Sequence, residues 1–358
     1  MESQYLVAQL SQSGLQGTHF YYDVCAESPD RRHVVFFEFE DDVPGYGYVT
    51  VAERDGSTPR RVSERLHAVT HEGVRQQWLD SNTVAYSQPN SGTTSLISLA
   101  DLERCEMMGS LRMYSLQNGL GLTTLLPQSG NNLDSTVAVM DFQQQKVRPL
   151  FSLEDALCKH PLGTDFEGVE HVKLYHTKWS PSGTRFLFLI SNKNKLSGHL
   201  TGRVLSGERI HSIFIADADG ANLRYVAEED HHCVWGADDE HLCYFKRNED
   251  GSQDFISFPL DGSSPYPLLE RMRGKHTTLN RAGTKVLTDV THCPSQGEAE
   301  IWLYDVESEL PETLMRFSSP DFSQRGVHVH PAFSRDEKRV YFNAAENGFR
   351  SFYAVDYA

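Results

Sequence analysis

A single phrase, copied at intervals along the chain, restricts its fold more than any other feature. In Trp179-Ser-Pro-Ser-Gly-Thr-Arg-Phe-Leu-Phe188 an aromatic residue precedes a tight polar turn and then an apolar run. That order reads as one strand, a hairpin turn and a second strand. The phrase returns from Trp235 to Tyr244, from Leu279 to Thr288 and from Phe333 to Phe342, and earlier copies run from Glu27 to Phe36 and, shortened, from Trp78 to Tyr86. Further strands ending in acidic or polar turns follow, at Val49–Asp55, Ile213–Asp219, Phe255–Asp261, Ile301–Asp305 and Phe352–Asp356. The anchors at 27, 78, 179, 235, 279 and 333 are spaced by about 50 residues, and the double interval from 78 to 179 leaves room for a degenerate copy containing Leu111–Leu116 and Thr136–Phe142. Seven units of this length predict an all-β fold, a seven-bladed β-propeller of four-stranded antiparallel blades making one domain over residues 1–358. A pair of β-sandwiches is the rival, but it gives no reason for one phrase to recur around the whole chain. The segment Tyr5–Leu10 is expected to complete the last blade beside Phe352–Asp356, which hides both terminal edges. Ser152–Cys158 reads as a short helix capped by Ser152 with Asp155 three residues on. The Lys-, Gly- and Ser-rich stretch Asn192–Glu208 reads as a long rim loop.

The 33 Lys and Arg against 49 Asp and Glu give a formal charge of −16. No dense basic stripe offsets it, which argues against nucleic acid or an anionic membrane as partner, so an anionic substrate needs a locally cationic site. No apolar run approaches membrane-spanning length and the first residues lack the pattern of a secretory signal. Six scattered cysteines without a C-x-x-C pair fit a reduced compartment, and the expected location is the cytoplasm. Dinucleotide, P-loop, H-E-x-x-H and G-x-S-x-G signatures are all missing, which disfavours nucleotide enzymes, zincins and α/β-hydrolases.

Aligning the copies on their anchors exposes the candidate site. Three residues before the anchor stand His176, His232, His276 and His330, in four consecutive units. With 16 histidines among 358 residues, chance is a poor account of four such matches. In a propeller this strand is innermost, so equivalent positions converge on the central channel. His328 falls on the same strand face as His330 by the period of two, and Asp230 bears that relation to His232. Imidazoles suit Zn, Mn, Fe, Ni or Cu. The alternatives are a hydrogen-bonded polar plug without metal, or a misregistered repeat. Weaker features are His231, expected on the opposite face; His292 and Cys293, which follow Asp289 and are extra ligands or a strand-end turn; and His67 and His71, on the funnel rim or else in an exposed or core role. Pro44-Gly-Tyr-Gly-Tyr48 either stacks on a sugar ring or covers a sheet edge.

These residues resemble the β-propeller polysaccharide lyases, particularly the oligogalacturonate lyase family and more loosely the propeller ulvan lyases. The resemblance rests on His176-Thr-Lys-Trp-Ser-Pro-Ser-Gly-Thr, His232-Cys-Val-Trp, His276 before its turn, and above all His328-Val-His330-Pro-Ala-Phe-Ser-Arg-Asp. It implies metal-assisted β-elimination of uronate-containing oligosaccharides, pectic ones first, with a divalent metal that is Mn or Zn, Mn by resemblance. His328 and His330 match the family's paired ligands and His232 its earlier histidine. The family's glutamine is replaced by Arg325, with Gln324 one position back, and His276 is taken as the substitute ligand. Cys233 stands where the ulvan lyases have a tyrosine, so their tyrosine-based proton transfer does not carry over. His176 is the expected base, and Arg203, Arg209, Arg247 and Arg325 are candidate carboxylate clamps. The partner implied is an anionic oligosaccharide, and oligomeric state is left open. The competing reading is a non-enzymatic propeller that binds a protein or glycan over its rim, and an ulvan- or glucuronan-type lyase is the nearer variant.

Overall fold

At most copies of the phrase the polar turn closes a hairpin with the same bond. In the computed structural model the backbone N–H of Ser28, Ser180, Asn280 and Ser334 donates to the carbonyl of His33, Arg185, Lys285 and Arg339 at 2.8–3.0 Å. Three residues into each turn the backbone is left-handed, at Arg31, Gly183, Gly283 and Glu337, with φ of 63°, 73°, 69° and 55°. The structure describes residues 1–358 apart from 12–14, 41–44, 69–71, 88–91, 127–133, 164–171, 192–210, 229–231, 294–297, 319–327 and 347–348. The rim loop expected at Asn192–Glu208 lies outside the described residues.

The hairpins extend into seven antiparallel sheets, the blades of a seven-bladed β-propeller. The first blade runs Gln16–Thr18, His33–Phe39, Tyr46–Glu53 and Arg60–Arg61, with Leu66–His67 also on its third strand. The second is Gln77–Trp78, Thr83–Tyr86, Thr93–Ser98 and Arg104–Met108; the third, the degenerate copy, is Leu111–Tyr114, Leu120–Leu125, Thr136–Asp141 and Lys146–Ser152. The fourth begins with Lys173–Trp179 and Arg185–Ser191, the fifth with Val234–Trp235 and His241–Arg247, and the sixth with Thr277–Leu279 and Lys285–Cys293. In the seventh, Ala332–Phe333, Arg339–Glu346 and Phe349–Asp356 are joined by the N-terminal strand Leu6–Gln9, in the register Leu6↔Asp356 to Gln9↔Tyr353. The expected closure of the last blade is therefore present, and no long edge is left on it.

The blades fall into two compact units, Met1–Glu106 with Leu269–Ala358, and Met107–Leu268. Within each, blades pack apolar face on apolar face, which is why their middle strands read as continuous hydrophobic runs. In the second unit Leu122, Val139, Trp179, Phe186, Phe188 and Phe214 share one core cluster; in the first, Leu287, Ile301, Phe317, Val340 and Phe342 share another. The aromatic anchors also have a polar task. The Trp78 indole N–H donates to the Ala26 carbonyl of the preceding blade at 2.8 Å, and Trp235 donates to Lys178 at 3.1 Å. The one α-helix among the described residues, Leu153–Leu157, has the expected capping box: Ser152 Oγ accepts from Asp155 N–H at 3.0 Å and the Asp155 carboxylate accepts from Ser152 N–H at 2.8 Å. Among the described residues no helix is long and apolar enough to cross a membrane.

The first blade departs from the repeat in a way that shapes the site. Its first strand stops at Thr18, and pairing resumes only at Glu27, which bridges Val34. The intervening His19-Phe-Tyr-Tyr-Asp-Val-Cys25 leaves the sheet, and His19, Phe20, Tyr21 and Tyr22 are all buried. Where the chain rejoins, the fully buried Glu27 carboxylate lies 2.5 Å from Arg54 Nε and accepts from Arg335 N–H at 2.8 Å and the Tyr341 hydroxyl at 3.2 Å, tying the first blade to the seventh.

Candidate metal centre

His276, His328 and His330 come together in the first unit, each offering a ring nitrogen with all three within 4.8 Å of one another. Ring centroids are 4.5 Å apart for His276 and His330 and 5.2 Å for each of the other two pairs. His276 and His330 are buried and His328 is half-buried. Three neutral imidazoles suit a borderline divalent ion, and such histidines need a partner that fixes their tautomer. Asp289, on the second strand of the same blade, supplies it for His276: one carboxylate oxygen lies 2.9 Å from His276 Nδ1 and the other accepts the His276 backbone N–H at 2.7 Å. Nδ1 therefore carries the proton and Nε2 is the nitrogen able to ligate. Burial acts to raise the Asp289 pKa, but the adjoining imidazole and its hydrogen bonds outweigh this and hold the carboxyl below its ordinary value. The residues thus fit a divalent metal, with three donors and a carboxylate behind one of them.

The pairing of His328 with His330 has a different cause from the one the sequence suggested. Residues 328–331 are not strand, and His330 has a left-handed backbone with φ of 47°, so the alternation rule does not apply. Two residues, 330 and 331, stand opposite the single Phe342, because Asn343 N–H donates to the Val329 carbonyl while Ala332 pairs with Tyr341. This bulge turns His330 back onto His276. Asn343 holds the segment, donating from Nδ2 to the His328 carbonyl at 3.2 Å and accepting the His19 backbone N–H at 3.0 Å.

The remaining residues distribute as follows. His176 and His232, in the second unit, meet edge to face with centroids 5.3 Å apart, both half-buried. The cluster therefore comprises three of the four expected ligands, and His232 stands in ring contact with the expected base. His176 also has a left-handed backbone, with φ of 52°. Arg247 is exposed at the end of His241–Arg247, at the same end of its blade as His232. Arg203, Arg209, Gln324, Arg325, Asp230, His231 and His71 lie outside the described residues, and the side chains of His292 and Cys293 are likewise outside the description. His67 is on the outer part of the first blade against Tyr46, at 4.9 Å, and not near the first strand. Arg65 covers Tyr46 at 4.1 Å and Arg61 covers Tyr48 at 4.3 Å, so one face of each ring packs on a guanidinium at a sheet edge.

Two contributors escaped the sequence reading. One is Asp289, marked in the sequence only by standing shortly before His292 and Cys293. The other is the His19–Cys25 excursion. Tyr21 packs on His330 at 4.5 Å, Tyr22 on His276 at 5.5 Å, and the buried His19 lies 6.4 Å from His330, its pKa pushed down to about 4 by burial. The signal available was the unbroken run His19-Phe-Tyr-Tyr, which violates the alternation of a half-buried strand.

No protein-family model matches the sequence, and no curated protein matches it. Solved structures do match. An oligogalacturonate lyase in complex with manganese superposes with a TM-score of 0.72 over 100% of this chain and 94% of that one, at 13% identity. The fold is that of the oligogalacturonate lyases. A second such lyase, from Vibrio parahaemolyticus, gives 0.70 at 14% identity over 99% of this chain and 94% of its own. The architecture also serves other chemistry: a prolyl endopeptidase matches at 0.56, with 14% identity, over 98% of this chain and 48% of that one. Fold likeness alone does not assign an activity.

Proposed function

We propose that this propeller is a lyase that cleaves short uronate-containing oligosaccharides by metal-assisted β-elimination. The observation that carries the reading is the His276, His328 and His330 cluster with Asp289 behind it, in a fold shared with a manganese-bound oligogalacturonate lyase. A divalent ion held by the three imidazoles, Mn in preference to Zn on that likeness, would neutralise the C6 carboxylate of a uronate and so acidify its C5–H. Asp289 keeps His276 in the ligating tautomer, and Asn343 fixes the backbone of the His328 segment. The base is assigned to His176, whose imidazole takes the C5 proton. The electron pair released forms the C4–C5 double bond and the 4-O-glycosyl group departs, taking up a proton, to leave an unsaturated uronate. Arginines supply the positive charge that a chain of net charge −16 must gather locally for such a substrate. Action on already shortened fragments in the cytoplasm goes with this reading, in which Cys25, Cys105, Cys158 and Cys243 remain free thiols.

The test is absorbance near 235 nm on incubation with pectic, ulvan-type and glucuronan oligosaccharides and added Mn or Zn. Product mass separates elimination, which adds no water, from hydrolysis. Chelation should abolish the signal and the metal should restore it. Silence on every substrate would favour the rim-binding propeller instead.

A further inference from the structure

The bulge that turns His330 is not unique to the seventh blade. In the fourth, Tyr175 pairs with Leu189 and Lys178 with Leu187, so residues 176 and 177 stand against Phe188 alone. In the second, Ser87 N–H donates to the Val74 carbonyl and Gln77 pairs with Ala85, so residues 75 and 76 stand against Tyr86 alone. The first residue of each pair is left-handed: His330, His176 and, in the second blade, Arg75, with φ of 57°. All three lie three residues before their anchors, at 333, 179 and 78. Glycine is the residue that takes this position in a bulge without strain. Holding a bulky side chain there in three blades marks a position kept for what the side chain does.

Arg75 is held firmly. Gln76, beside it, is buried; its Oε1 accepts the Val74 N–H at 3.1 Å and its Nε2 donates to the Thr18 carbonyl at 3.0 Å. The Arg75 side chain is half-buried, and its Nε lies 3.2 Å from a Glu72 carboxylate oxygen, which orients the guanidinium plane. The planar guanidinium fork is the side chain best suited to bidentate recognition of carboxylates. Cationic character at a position that carries site histidines in other blades is what an anionic oligosaccharide requires of an acidic protein.

We propose that Arg75 is a substrate-recognition residue that clamps a carboxylate of the uronate oligosaccharide; this rests on the lyase reading above. Arg75→Gly separates the side chain from the backbone, since glycine relieves the left-handed strain while removing the guanidinium. The expected result is a KM for trigalacturonate raised roughly tenfold or more, with metal stoichiometry unchanged and a Tm equal to or above that of the wild type. Arg75→Lys, which keeps the charge without the fork, should fall between the two. A wild-type KM in Arg75→Gly overturns the proposal while leaving the lyase reading intact, and a lowered Tm with that KM would make Arg75 a structural ion-pair residue. If the wild type neither cleaves nor, by calorimetry, binds any uronate oligosaccharide, both readings fall.

Discussion

Replacing Asp289 by Asn removes a charge without removing bulk, and the structure says what should follow. The carboxylate serves two donors at once, the His276 backbone N–H at 2.7 Å and Nδ1 at 2.9 Å, in a site where Asp289 is 3% exposed. An amide has only one acceptor oxygen. If that oxygen faces the backbone N–H, the amide NH2 faces Nδ1, which must then give up its proton, and Nε2 becomes protonated and cannot ligate. If the amide is turned round, two buried donors oppose each other. Either arrangement costs about 1–3 kcal/mol, the penalty for an unsatisfied buried donor. At about 1.4 kcal/mol per factor of ten, that is roughly a tenfold to hundredfold loss of metal affinity, the range seen when such outer partners are changed. The measurement is competition with a fluorescent chelator for Mn and Zn, on wild type and Asp289→Asn, with circular dichroism to confirm the β-fold. Metal affinity within twofold of wild type would refute the reasoning, because the tautomer argument leaves no neutral outcome.

Other perturbations test separate parts of the account. His330→Ala should lower metal occupancy and activity together, whereas His176→Ala should abolish turnover with metal still bound; metal analysis alongside the 235 nm assay checks both, and a full equivalent of metal in His330→Ala would end the division of roles. Glu27→Ala should destabilise the first unit by about 3 kcal/mol, because it leaves partners of a buried carboxylate unmatched, read as a fall in the urea midpoint. The His160 Nδ1 accepts the Leu162 N–H, so Nε2 donates to Ser212 and Glu228, at 3.0 and 3.1 Å. Burial acts to raise the Glu228 pKa, but the bonds from His160, Ser212 and the His211 N–H lower it below its ordinary 4.5. A folded-state value below the unfolded one adds stability above pH 4.5 that is lost as pH falls through the lowered value. Urea titrations should therefore show Glu228→Gln less stable than wild type at pH 7, with the gap closing as pH falls through the lowered value; a gap that persists in strong acid would contradict this.

The blades were legible because their signals are local. A polar turn between an aromatic and an apolar run specifies a hairpin through bonds only five residues apart, such as Ser180 to Arg185. The closing strand was legible for a related reason: Leu6–Gln9 and Phe349–Asp356 both carry the pattern of strands needing a partner. The register of His176, His232, His276 and His330 was equally a property of the copied phrase. What each histidine touches was not. His330 reaches His276 because a bulge makes its backbone left-handed, which a period of two along a regular strand does not foresee. Asp289 is thirteen residues from His276 and meets it only because their strands pair. The His19–Cys25 excursion brings Tyr21 and Tyr22 onto imidazoles more than 250 residues away in sequence. Repetition in sequence fixes the strands, turns and equivalent positions, since these depend on hydrogen bonds between near neighbours. Which equivalent side chains share a site is decided by departures from the repeat, whose geometry exists only once the blades have packed.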